Sequence, residues 1–175
     1  MLVTPLSQVQ VTQRQIQPWE RIPNTSIQSK PLFIYHSAFN GSASDVSSHL
    51  EKVGVVKPQW IYSMYPTSHF HSNTHEVLSV VAGKAKLCFG HEKNPDRFEP
   101  TVSKGDVIII PAGVSHRLLQ DLDGQFNMVG SYPPGKNWDM CYGKEGEEEK
   151  VRNISSLAWF TKDPLYGDQG PVLEV

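Results

Sequence analysis

A chain of 175 residues with 38% hydrophobic content is long enough for one globular domain with a sizeable core and too short for a second full one. A formal net charge of −2 carries no basic excess, which excludes an electrostatic footprint for nucleic acid or an anionic membrane and leaves small molecules as the expected partners. No apolar run reaches the ~18 residues of a membrane span, and Met1–Pro5 has neither the basic start nor the apolar core of a signal peptide, so a cytoplasmic protein is expected.

Residues 1–30 are rich in Gln, Ser, Thr and Pro with little periodicity, which predicts an extended arm laid over the domain or over a partner subunit. Leu32–His36 is the first firm strand. A short helix follows, with Ser44 as the expected cap, Val46, Leu50 and Val53 on one face and Gly54 at its end. The pattern then turns to short β-rich segments: 60–65, 76–82, 84–89, 98–102, 107–110, 116–119 and 126–132. Gly83, Gly90, Asn94-Pro95-Asp96, Gly105, Gly113 and Asp123-Gly124 punctuate them. Many short strands without long intervening helices predict an all-β sandwich or barrel and argue against a parallel α/β sheet. After Pro133-Pro134-Gly135 the chain becomes irregular. The acidic run 145–150 reads as a solvated loop or helix end, and Trp159, Phe160, Leu165 and Tyr166 are apolar enough to pin the tail onto the fold.

The chemistry concentrates in two segments. His69 and His71 are two apart, so on a strand both imidazoles face one side; Glu76 follows, and His116 arrives about forty residues later behind Pro111 and Gly113. Three neutral imidazoles and one carboxylate make a mixed N/O donor set suited to a divalent transition metal: Fe(II), Mn, Ni, Co or Zn. His75 precedes Glu76, so alternation aims it away if Glu76 points inward; as a ligand or acid/base group it is the one catalytic candidate. H-E-x-x-H is not formed, because position 79 is Ser. Cys88 and Cys141 lie far apart and form no C-x-x-C pair. By strand parity Phe89, Ile108, Ile110, Leu118, Phe126 and Met128 are expected to line an apolar interior. Tyr62, Tyr65, Gln120 and Tyr132 are expected to supply polar contacts, and Lys84, Lys86 and Arg117 to be exposed charges.

This constellation resembles the cupin superfamily, whose first motif runs G-x5-H-x-H-x(3,4)-E-x6-G and whose second runs G-x5-P-x-G-x2-H-x3-N. Residues 69–83 match the first and 105–116 the second; Ser63 replaces the opening Gly and Gln120 the closing Asn. The resemblance implies an all-β double-stranded β-helix (jelly-roll barrel) over residues 31–175, with a short helix and irregular N- and C-terminal extensions. It places His69, His71, Glu76 and His116 in the metal-ligand positions. Ile22-Pro23-Asn24 near the start and residues 163–167 near the end extend the likeness to small single-domain cupins of mostly uncharacterised function. Such proteins commonly exchange edge strands, so the arm suggests a homodimer. The implied function is a metal-dependent oxidoreductase of dioxygenase type acting on a small organic molecule. A metal-dependent isomerase, lyase or decarboxylase, or a non-catalytic binding protein, is the alternative.

Overall fold

The computed structural model describes residues 1–175. Nine strands form two antiparallel sheets. They are β1 (Gln10–Arg14), β2 (Leu32–His36), β3 (Lys57–Tyr62), β4 (Glu76–Ala82), β5 (Lys84–Phe89), β6 (Thr101–Ser103), β7 (Val107–Ile110), β8 (His116–Asp121) and β9 (Asn127–Tyr132). The larger sheet has the order β1-β2-β7-β4-β9-β3 and the smaller β6-β5-β8. The jelly-roll architecture is therefore present as two facing sheets rather than a closed barrel. No helix is long and apolar enough to cross a membrane.

Alternation along the strands explains why the six-stranded sheet is apolar on both sides. Leu32, Ile34, Leu78, Val80, Ile108, Ile110 and Met128 face the smaller sheet, where Ala85, Leu87 and Phe89 meet them in the inner core. Phe33, Tyr35, Val77, Val107, Ile109 and Val129 face outward and would be wet without a cover. The cover is helix α1 (Ala43–Val53), through Val46 and Leu50, together with Leu165 and Val172 of the C-terminal segment. Strands covered on both faces read as continuous apolar runs, as β2 and β7 do.

Several expectations are corrected in detail. The cap of α1 is Ser42, not Ser44: its hydroxyl accepts from the Asp45 amide at 3.1 Å while the Asp45 carboxylate accepts from the Ser42 amide at 2.9 Å. Within the arm, residues 10–14 form β1, which pairs with β2 of the same chain. Its mixture of half-buried and exposed residues is too polar to stand out. The third strand starts at Lys57 and ends at Tyr62. The sixth covers only residues 101–103, because Pro100 offers no amide and leaves only a single bridge, Phe89 with Phe98, upstream of it. The acidic run leads into helix α2 (Glu148–Asn153).

The terminal motifs act as fasteners. Asn24 donates from its side-chain amide to the carbonyls of Gln17 and Gly90 and accepts from the Ser115 amide at 3.1 Å, so the arm holds the residue next to His116. Asp163 accepts from the Tyr35 hydroxyl at 2.6 Å and from the amides of Leu165 and Tyr166, which ties the tail to the outer face of β2.

Candidate metal centre

Three segments converge on one end of the inner core. His69 and His116 are directly opposed bridge partners, exchanging backbone hydrogen bonds of 3.2 and 2.9 Å. On the other side of the same segment, Phe70 bridges Cys141. His69 and Phe70 are thus each paired singly rather than as part of a long strand. Alternation holds: Phe70 packs with Ile22 and Cys141, while His69 and His71 face the interior. Gly113 provides the turn that returns the chain to His116. Its φ is +93°, its amide donates to the His71 carbonyl at 2.9 Å, and an added Cβ would press on Pro23, Asn24 and Ile154 at 3.0–3.1 Å.

One ligand atom from each of His69, His71 and His116 lies within 4.8 Å of the others, and all three residues are buried. The tautomers follow from their partners. Nδ1 of His69 lies 2.8 Å from the Thr67 carbonyl, that of His71 2.6 Å from the Asp139 carbonyl and that of His116 3.0 Å from the Val114 carbonyl. A carbonyl only accepts, so each Nδ1 carries the proton and each Nε2 is left with a lone pair for the interior. Glu76, first residue of β4, brings its carboxylate to 3.4 Å from His71 Nε2 and 3.3 Å from His116 Nε2. Its Oε2 accepts from the Tyr132 hydroxyl at 2.5 Å, and Oε1 is buried without a hydrogen-bond partner.

Burial and charge pull the site in opposite directions. Desolvation lowers His69 to about 3, helped by the neighbouring His116. At His71 desolvation also acts downward, but the Glu76 carboxylate outweighs it and the net direction is up. Burial alone would raise Glu76; His71 and His116 overcome it and hold the carboxyl well below the ordinary range.

His75 is not brought to the cluster. It lies on the opposite side of β4 from Glu76, against Trp159 and Phe160. Its Nδ1 accepts from the Ala112 amide at 3.0 Å and its Nε2 donates to the Ala158 carbonyl at 3.0 Å. This is the reverse tautomer of the other three, and neither nitrogen retains a free lone pair. Gln120 is also outside the site: a register shift between Lys86 and Leu87 pairs it with Lys86, and both are exposed. Lys84 is exposed as expected, and Arg117 turns outward to Glu92 at 3.6 Å.

A cavity of about 310 Å³ opens above the cluster, lined among others by Tyr62, Tyr65, Leu78, Met128, Tyr132 and Trp138. Trp138 and Asp139 carried no signal in the sequence, because they lie in the irregular stretch after Pro134. The structure stitches that stretch to the histidine segment: the Asp139 carboxylate accepts from the Ser72 amide at 2.7 Å and from the Ser72 hydroxyl, and Asn73 Oδ1 accepts from the Asp139 amide at 3.1 Å.

A cupin family model matches residues 62–120, the span that holds His69, His71, Glu76 and His116. Over 156 residues the chain is 35% identical to the uncharacterised protein YjlB of Bacillus subtilis (strain 168), covering 89% of this chain and 90% of that one. Among solved structures it is similar to the acireductone dioxygenase of Bacillus anthracis, which carries a cadmium ion in its active centre. That match has 18% identity, a TM-score of 0.39 and coverage of 57% of this chain and 61% of that one. It is also similar to RmlC from Streptococcus suis, in complex with dTDP-D-xylose, at 13% identity, a TM-score of 0.38 and coverage of 73% and 72%. With the motif-bearing span matched and nearly the whole length shared with one relative, the chain belongs to the cupin superfamily.

Proposed function

We propose that the protein is a metal-dependent oxidoreductase of dioxygenase type. Nε2 of His69, His71 and His116 and a carboxylate oxygen of Glu76 would hold a divalent transition metal, and the substrate is a small organic molecule in the adjoining cavity. One observation carries the reading. Imidazole lone pairs and a carboxylate face each other at 3.3–3.4 Å in a buried space, with Glu76 Oε1 unpartnered. Electron-rich atoms so placed repel unless a proton or a metal ion lies between them, and the donor set suits a borderline divalent ion. When bound, such an ion would supply Lewis acidity and, for a redox-active metal, electron transfer to O2.

The chain's own residues favour redox chemistry over proton shuttling. Apart from the cluster, the cavity presents no carboxylate, lysine or further imidazole; its remaining hydroxyls are those of Ser63, Tyr62, Tyr65 and Tyr132. Burial and the adjacent Glu76 carboxylate push the Tyr132 phenol far up, so it keeps its proton. Beyond those phenols the cavity offers no acid or base for the proton transfers of an isomerase, lyase or decarboxylase. The apolar walls restrict water around the reacting atoms.

The test is elemental analysis of natively purified protein together with oxygen uptake on candidate substrates. About one metal per chain is expected, lost in His71→Ala and His116→Ala. Protein without stoichiometric metal, or variants that retain it, would overturn the assignment. We further propose a cytoplasmic homodimer. The two buried free thiols, Cys88 and Cys141, suit a reducing compartment, and β1 leaves an open sheet edge. Light scattering at micromolar concentration is expected to return twice the chain mass, and the single-chain mass would reject the dimer.

A further inference from the structure

The cavity's composition selects its occupant. Ten of its fifteen lining residues are hydrophobic, Glu76 is its only acidic residue, and neither Lys nor Arg lines it. Its 310 Å³ lies at the small end of ligand sites. One wall is flat: the rings of Tyr132 and Trp138 stack at 4.5 Å with an interplanar angle of 8°. The mouth keeps large apolar surface in water, with Ile61 56%, Tyr62 55%, Tyr65 51% and Trp138 39% exposed. Tyr62 and Tyr65 meet edge to face there, at 5.7 Å. Aromatic surface held at a mouth that leads to a buried donor cluster is surface awaiting a ring.

Charge narrows the class further, and this step rests on the divalent ion of the proposed function. An ion of +2 beside one carboxylate leaves +1, which a single negative charge on the occupant neutralises. A second anionic group would lie against apolar walls with no cation to meet it.

We propose that the cavity takes a planar aromatic molecule of net charge −1, bearing a phenolic or enolic oxygen directed at the three imidazoles, and that Trp138 sets this specificity by packing against the ring. Trp138 is part of the cavity wall and is linked to the cluster only through the Tyr132 ring it stacks on; Tyr132 keeps its hydrogen bonds to Trp60 and Glu76 when Trp138 is replaced, so the donor set is retained. Dianions without a ring are the class excluded.

The test uses full-length protein loaded with redox-inert zinc, and calorimetric titration with 4-nitrocatechol, a planar aromatic monoanion near neutral pH, against oxalate, a ringless chelating dianion. The expected result is nitrocatechol binding at least about tenfold tighter than oxalate. Trp138→Ala should weaken nitrocatechol about tenfold and Trp138→Phe by less than about threefold, with oxalate unmoved and zinc content unchanged in both. Oxalate binding as tightly as nitrocatechol, or nitrocatechol binding indifferent to Trp138→Ala, overturns the proposal. If elemental analysis finds no zinc taken up, the metal assignment fails separately. Trp138-dependent binding of nitrocatechol to the metal-free protein would then still support the aromatic slot, and its absence would overturn that too.

Discussion

Trp60 and Gly130 are cross-strand partners on β3 and β9, and the indole of Trp60 lies directly over the glycine: a Cβ at position 130 would fall 2.1 Å from two ring carbons. This close approach aims Trp60 Nε1 at the Tyr132 hydroxyl oxygen, to which it donates at 2.9 Å. With that lone pair taken, the hydroxyl proton points to Glu76 Oε2. A bare backbone position thereby orients the only carboxylate of the site. Gly130→Ala is expected to expel the indole and cost about 1–3 kcal/mol, as overpacked positions do. A lowered midpoint of urea unfolding checks it, and an unchanged midpoint would show that the indole relocates freely.

Tyr132→Phe removes the donor to Glu76 and leaves the Trp60 N–H without its acceptor, while the ring still stacks on Trp138. Outer partners that orient a metal-binding carboxylate are worth about 10–100-fold in metal affinity. The dissociation constant for zinc, measured by competition with a chelator, is expected to rise by that factor. An unaltered constant would mean that Glu76 is held by other contacts.

Protons and metal compete for the same lone pairs, and His71 is where they compete hardest. His69, lowered to about 3, is neutral throughout the accessible range, whereas the Glu76 carboxylate raises His71 above its ordinary value near ~6.5. Below the His71 value in the metal-free protein, one proton must leave for each ion bound. Affinity is then expected to fall about tenfold per pH unit on acidification. Calorimetry in buffers of different ionisation enthalpy counts the released proton directly; a pH-independent affinity from pH 8 to roughly 5 would remove His71 from the ligand set.

His75 makes the fold, rather than the metal site, sensitive to acid. Burial lowers it to about 4, with the Ala158 carbonyl acting weakly in the other direction; an unfolded histidine titrates near ~6.5. Between those values the unfolded chain binds more protons than the native one. The contribution is therefore fully present above ~6.5 and is lost as pH falls toward 4. It amounts to about 3 kcal/mol at its limit. His75→Gln is expected to flatten the dependence of metal-free unfolding free energy on pH between 6.5 and 4.5, and identical slopes for the two proteins would refute this.

The sequence by itself determined whatever depends on spacing along one strand or on a turn. Separations of two between His69 and His71, and of odd parity between His75 and Glu76, settle which side chains share a face once the segments are extended. The short, continuous apolar runs of β2, β4 and β7, set off by turn residues, settled an all-β fold with an interior. Tertiary structure decided everything that needed a partner distant in the chain. A single inserted residue in the pairing of β5 with β8 turned Gln120 outward, which no local pattern records. The Thr67, Val114 and Asp139 carbonyls chose the tautomers of three histidines, and backbone carbonyls carry no residue identity to read. Trp138 and Asp139 reached the site because the irregular stretch after Pro134 is hydrogen-bonded to Ser72 and Asn73, a contact between loops whose composition constrains neither. Periodicity reports faces because it is a property of one segment. Which faces meet is fixed only when segments far apart in sequence bury the same surface.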